Sequence, residues 1–90
     1  MPKCFKFERF TVYFWSNENE EPVHVHVAEG KPSAHGTKFW LTSSGGVILA
    51  SNGSDLSPKD IIRVEKAIML NRDLIIDMWN ERFGYVSYYA

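Results

Sequence analysis

Apolar and polar residues alternate with period two through the first half of the chain and with a period near 3.6 through its last third. That order predicts an α+β domain of strands followed by helix. Phe10, Val12 and Phe14 alternate with Thr11, Tyr13 and Trp15, a strand pattern rich in β-forming side chains. Phe5 and Phe7 extend that ladder backwards, but the step from Phe7 to Phe10 breaks its parity, so Glu8-Arg9 should hold a turn or bulge. A polar, acidic loop ends at Pro22, and Val23-His-Val-His-Val-Ala-Glu29 follows with valines on one side and His24, His26 and Ala28 on the other. Thr37 to Leu41 and Val47 to Ala50 read as two further strands, joined by the turn Ser43-Ser-Gly-Gly46. Each connection is too short for a crossover. The expected sheet is a four-stranded, mainly antiparallel meander.

The helical third begins at a recognisable signal. Ser57 is placed to cap the first turn, Pro58 to occupy its first position and Asp60 to lie near the positive end of the helix dipole. Gly84 is placed to end it. Ile61, Val64, Ile68, Ile75, Met78 and Trp79 form one stripe, and Ile62, Met69, Leu70 and Leu74 widen it. Either one long helix is buried broadly, or two short helices meet near Asn71, which would then cap the second. Packed on one face of the sheet, the helical part should cover Phe10, Val12, Phe14, Val23, Val25, Val27, Phe39 and Leu41. Strand alternation then assigns Tyr13, Trp15, His24, His26, Lys38 and Trp40 to the opposite face. That face has few ordinary solvent-type residues, so it needs a cover or a partner: the tail 85–90 folding back, a second copy of the chain, or a bound molecule.

Length and charge narrow the class. Ninety residues make one domain over 1–90, with 1–9 either mobile or an extra strand and 85–90 a C-terminal tail. Ten basic residues against eleven acidic ones give no basic footprint, which argues against a nucleic acid partner held mainly by its phosphates. No run is apolar enough for a membrane span, the start alternates charge with aromatics rather than reading as a secretory signal, and a single cysteine excludes an internal disulfide framework. A reducing, cytoplasmic setting is the expectation. Cys4 has no adjacent base in the sequence and reads as a bystander thiol.

The candidate chemistry is concentrated in His24-Val-His26, two imidazoles on one side of a strand that can share a metal ion. His35 and a carboxylate from Glu18, Glu20 or Glu29 are the residues that would complete a divalent metal site. The alternative is a pair of hydrogen-bonded structural or ligand-contacting histidines with no cofactor. Asp73, Asp77 and Glu81 form an acidic row along the helix, by default a solvated face.

The string Glu21-Pro-Val-His-Val-His-Val-Ala-Glu29, with Phe39-Trp-Leu41 and the ending Asn71-Arg-Asp-Leu-Ile-Ile-Asp-Met-Trp-Asn-Glu-Arg-Phe83, resembles the bacterial family called domain of unknown function 4160. The family pattern maps onto Tyr13 to Trp15, Pro22 to Val27, and Trp79 with Phe83; this chain departs from it in placing Val23 between Pro22 and His24. The resemblance implies no activity. It does imply association with two-gene modules of the toxin–antitoxin type. The expected function is therefore a small interaction module whose His/aromatic face binds a protein partner or a second copy of the chain. The competing expectation is a metal-dependent or histidine-assisted enzyme centred on His24 and His26, with RNA as its natural substrate class.

Overall fold

The computed structural model describes residues 3–18 and 20–90. Its elements are β1 (Lys3–Phe7), β2 (Phe10–Tyr13), β3 (His24–Glu29), β4 (Thr37–Leu41), β5 (Val47–Asn52), α1 (Pro58–Leu70) and α2 (Arg72–Phe83). The strands pair antiparallel in the order β1-β2-β3-β4-β5, so the meander is right and the strand count among the described residues is five rather than four. The additional strand is β1, in the segment that the sequence left open between a mobile stretch and a strand. Phe7 pairs with Phe10 across a two-residue turn, with Glu8 at φ 54°. Residues flanking such a turn sit directly opposite each other and share a face, so the apparent parity break is the signature of a tight hairpin. Cys4, Phe5 and Phe7 consequently pack against the core.

The turn also docks the first helix. Arg9 reaches Asp60 at 2.7 Å, and Arg63 pairs with Glu8. Ser57 has extended backbone and its hydroxyl accepts the Asp60 N–H at 3.2 Å, satisfying one of the free donors of the first turn. Asn52, at the end of β5, braces the loop before that cap, bonding Thr37 at 2.7 Å and Leu56 at 2.9 Å through both its amide atoms.

Two helices form rather than one. Asn71 adopts φ −108°, ψ 19°, and its backbone and side chain both bond back to the Ala67 carbonyl, at 3.2 and 2.9 Å. Its side chain thus closes α1 instead of capping α2, contrary to the expectation for this residue; only its carbonyl serves α2, accepting the Ile75 N–H at 3.1 Å. Gly84 ends α2 in the left-handed conformation at φ 83°, where a residue without Cβ pays no steric cost. The break removes the need for broad burial. Val64, Ala67, Ile68, Ile75 and Trp79 face the sheet, while Ile62, Met69, Leu70 and Leu74 remain exposed.

All eight residues assigned to the helix-covered face are fully buried and join one core with Leu56, Val64, Ile68, Ile75 and Trp79. The tail returns across the ends of β3 and β4. Val23 N–H donates to the Ser87 carbonyl and Ser43 N–H to that of Ala90, both at 2.8 Å. No helix among the described residues is long and apolar enough to cross a membrane.

Candidate functional site

The register of the central strands builds the outer face in rows. Tyr13 lies opposite His26 and His26 opposite Lys38, while His24 lies opposite Trp40. Cross-strand neighbours in such positions are in side-chain contact. The Tyr13 and His26 rings are stacked with centroids 5.6 Å apart, and Trp15 meets Tyr13 edge-on at 5.4 Å. His24 is enclosed by His26 at 5.0 Å, Trp40 at 5.4 Å and Trp79 at 5.2 Å, each contact close to perpendicular or steeply tilted. Trp79 also packs on Phe14 at 5.0 Å. At this end of the sheet α2 therefore reaches both the inner core and the first histidine, and His24 is fully buried while His26 stays partly open.

Three segments close over this face. The loop 30–36 is held by the Tyr13 hydroxyl, which donates to the Ser33 carbonyl at 2.6 Å and accepts the Ser33 N–H at 2.9 Å. A Cβ at Gly36 would lie 2.5 Å from that hydroxyl, so only glycine lets the loop come this near. Burial, reinforced by the negative charge of Glu18, pushes the Tyr13 phenol above its ordinary range against the lowering effect of its bond to Ser33. The tail contributes Tyr89, stacked on Trp40 with centroids 4.8 Å apart and planes 6° from parallel.

The third segment is the acidic loop after β2, and it supplies the chemistry. Glu18 Oε2 lies 2.8 Å from Nε2 of His24 and 2.8 Å from Nε2 of His26. Its other oxygen accepts the Trp15 N–H at 2.7 Å. Burial raises the Glu18 carboxyl, but the two imidazoles and the Trp15 N–H outweigh it and hold the group well below the usual carboxylate range. Glu21 from the same loop pairs with Lys38 at 2.6 Å, and the Lys38 ammonium sits 4.1 Å from the Trp40 ring centroid. Among the described residues, no buried side-chain nitrogen or oxygen lacks a hydrogen-bond partner.

The structure selects among the expected ligands. Glu18, His24 and His26 present donor atoms that all lie within 4.8 Å of one another. His35 is exposed on the loop 30–36, whose inward contacts are made by Ser33 and Gly36, and it does not join the group. Glu20 is exposed, and Glu29 pairs with Arg9 at 3.3 Å. Nothing in strand periodicity distinguishes Glu18 from its acidic neighbours. The distinguishing feature is a turn, in which the Glu21 N–H donates to the Glu18 carbonyl at 3.2 Å.

A family model described as a domain of unknown function (DUF4160) matches residues 10–80. The chain belongs to the DUF4160 family. The matched region of this DUF4160 member begins at β2, carries Glu18, His24 and His26, and ends just past Trp79. No curated protein and no solved structure matches the chain. In this member Val23, which separates Pro22 from His24, is itself a buried core residue, and the Pro22 carbonyl lies 2.8 Å from His24 Nδ1.

Proposed function

We propose that this DUF4160 chain is a small cytoplasmic interaction module that engages a protein partner in a bacterial regulatory pair of the toxin–antitoxin kind. The observation that carries this reading is the apolar surface left outside the core: Leu70 is 86% exposed, Ile62 56%, Met69 45% and Leu74 42%. All four lie on the helix pair whose inner stripe already seals the sheet, so the monomer has no use for them. Asp73, Asp77 and Glu81 are exposed along α2, and Lys66 is exposed between Ile62 and Met69 along α1. The partner that fits is an apolar patch with charge of both signs at its rim, basic towards α2 and acidic towards α1. Family membership supports the gene-pair setting through the resemblance described above. Of the His/aromatic face, Trp15, His26, Lys38 and Trp40 remain accessible in part and can extend the contact, whereas Tyr13 and His24 are interior.

The test is co-expression with the product of the neighbouring gene and capture of the pair. Met69→Asp with Leu70→Asp, at positions where the fold loses no core contact, should weaken capture at least about tenfold. Capture unaffected by that pair but lost in Trp15→Ala with Trp40→Ala would move the interface to the sheet. A chain that sediments as a dimer, and as a monomer once Met69 and Leu70 are replaced, would make the partner a second copy.

A second reading, histidine-assisted or metal-dependent chemistry with RNA as substrate, is favoured by the meeting of Glu18 with both imidazoles. It gains if His26→Ala leaves partner capture intact but abolishes a cellular phenotype such as growth arrest; it loses if that phenotype survives.

A further inference from the structure

The hydrogen bonds around His24 cannot all be made by a neutral ring. Its Nδ1 lies 2.8 Å from the Pro22 carbonyl. A carbonyl only accepts, so Nδ1 carries a hydrogen. The neutral imidazole then turns a bare lone pair at Nε2 towards Glu18 Oε2, itself an acceptor, at 2.8 Å. Two such atoms at that distance need a hydrogen or a cation between them. Lys38 does not supply it, being engaged by Glu21 and lying over Trp40. A divalent ion between the two atoms leaves the ring neutral and can also take the His26 Nε2 as a ligand.

Three further features suit the metal. Donor atoms about 2.0–2.1 Å from one tetrahedral zinc ion lie roughly 3.3 Å apart, and here the Glu18 oxygen is 2.8 Å from each Nε2 with all three donors within 4.8 Å of one another. Each of two ligands is held from behind, His24 by the Pro22 carbonyl and Glu18 by the Trp15 N–H on its free oxygen. Outer contacts of this kind orient metal ligands and fix the imidazole tautomer. The surrounding wall is aromatic, formed by Tyr13, Trp15, Trp40 and Trp79.

We propose that Glu18, His24 and His26 bind one first-row divalent cation, with zinc the best chemical match, through three protein ligands and one open position. Two imidazoles and one carboxylate favour such an ion over magnesium or calcium, which prefer all-oxygen shells. The open position lies on the side of His26 and Glu18, whose side chains are 14% and 11% exposed, because His24 is closed off entirely. The cation depends neither on partner capture nor on catalysis.

Calorimetric titration of the full chain, stripped of metal by chelation, with zinc chloride at neutral pH tests the site. One ion per chain should bind with micromolar or better affinity, and X-ray absorption at the zinc edge should show a nitrogen and oxygen shell with imidazole scattering. His26→Ala and Glu18→Gln, both at partly exposed positions, should each weaken binding at least about tenfold, and His35→Ala should leave it unchanged. Wild-type chain that is folded yet binds no tighter than about 100 μM overturns the proposal. So does affinity undiminished in both ligand variants. Should those variants misfold, nitrogen-15 spectra of the zinc-loaded wild-type imidazoles decide: hydrogen retained on His24 Nε2 overturns the site, and its loss supports it.

Discussion

The two faces of the sheet are closed by different physics. On the inner face, Phe10, Val12, Phe14, Val23, Val25, Val27, Phe39 and Leu41 are sealed by a helical stripe, and the attraction is non-directional burial. On the outer face, Tyr13, His24, His26 and Lys38 are each met by a specific polar partner from a loop, and Trp40 by one ring from the tail. Burial tolerates exchange of one apolar side chain for another of similar volume, while a directional contact fails when a single atom is changed. Substitutions that leave the inner face working should therefore disable the outer one, and the two can be separated by experiment.

The largest effect is expected inside. Phe39→Ala should destabilise the chain by about 3–5 kcal/mol in urea unfolding, whereas Phe39→Leu should cost far less. Comparable losses for the two would mean that the inner face also depends on shape. Tyr13→Phe removes one oxygen and leaves the Ser33 carbonyl and N–H without their partner, for an expected loss of about 1–3 kcal/mol. A loss near zero would show that the loop 30–36 is not fastened through Tyr13. Tyr89→Ala should cost roughly 0.5–1.5 kcal/mol by removing the stack on Trp40, with a matching rise in Trp40 quenching by acrylamide.

The smallest effect concerns β1. Burial pushes the Cys4 thiol from 9.0 up to about 12, so the folded chain keeps it neutral where the unfolded chain would ionise it. Its contribution to stability is complete below pH 9 and is lost as pH rises towards 12. At pH 8, alkylation of the native thiol should be slower than in urea by at least about tenfold. Equal rates would place β1 off the inner face.

The same contrast decides what the sequence discloses. Alternation identified the eight inner-face residues Phe10, Val12, Phe14, Val23, Val25, Val27, Phe39 and Leu41, because burial leaves a periodic trace in side-chain type, but it left out Cys4, Phe5, Phe7 and Val47, which pack against the same core. Of the six residues it assigned to the outer face, Tyr13, His24, His26, Lys38 and Trp40 stand in cross-strand rows, while Trp15 lies beyond the end of β2 and His24 also touches the core residue Trp79. The strand count fell short because Phe7 and Phe10 face each other across a two-residue turn, which interrupts the period without interrupting the sheet. The cap at Ser57 and the stop at Gly84 were legible from local chemistry. The helix break was legible only as one of two possibilities, since Leu70 and Leu74 look the same whether buried or exposed. Selection of Glu18 over Glu20 and Glu29, and exclusion of His35, depend on how irregular loops return to the sheet, and side-chain type carries no trace of that.

The chain order of the meander has a consequence for synthesis. All five strands lie ahead of Ser57, and the side chains that cover the inner face all come after it except Leu56. A growing chain can pair its strands through short closures of low entropic cost, and it then carries a bare apolar sheet until the last third emerges. A chain stopped before Pro58 should accordingly aggregate, while the full chain stays in solution. The interval between the last strand and the arrival of Trp79 is the time during which this protein is most exposed to other nascent chains.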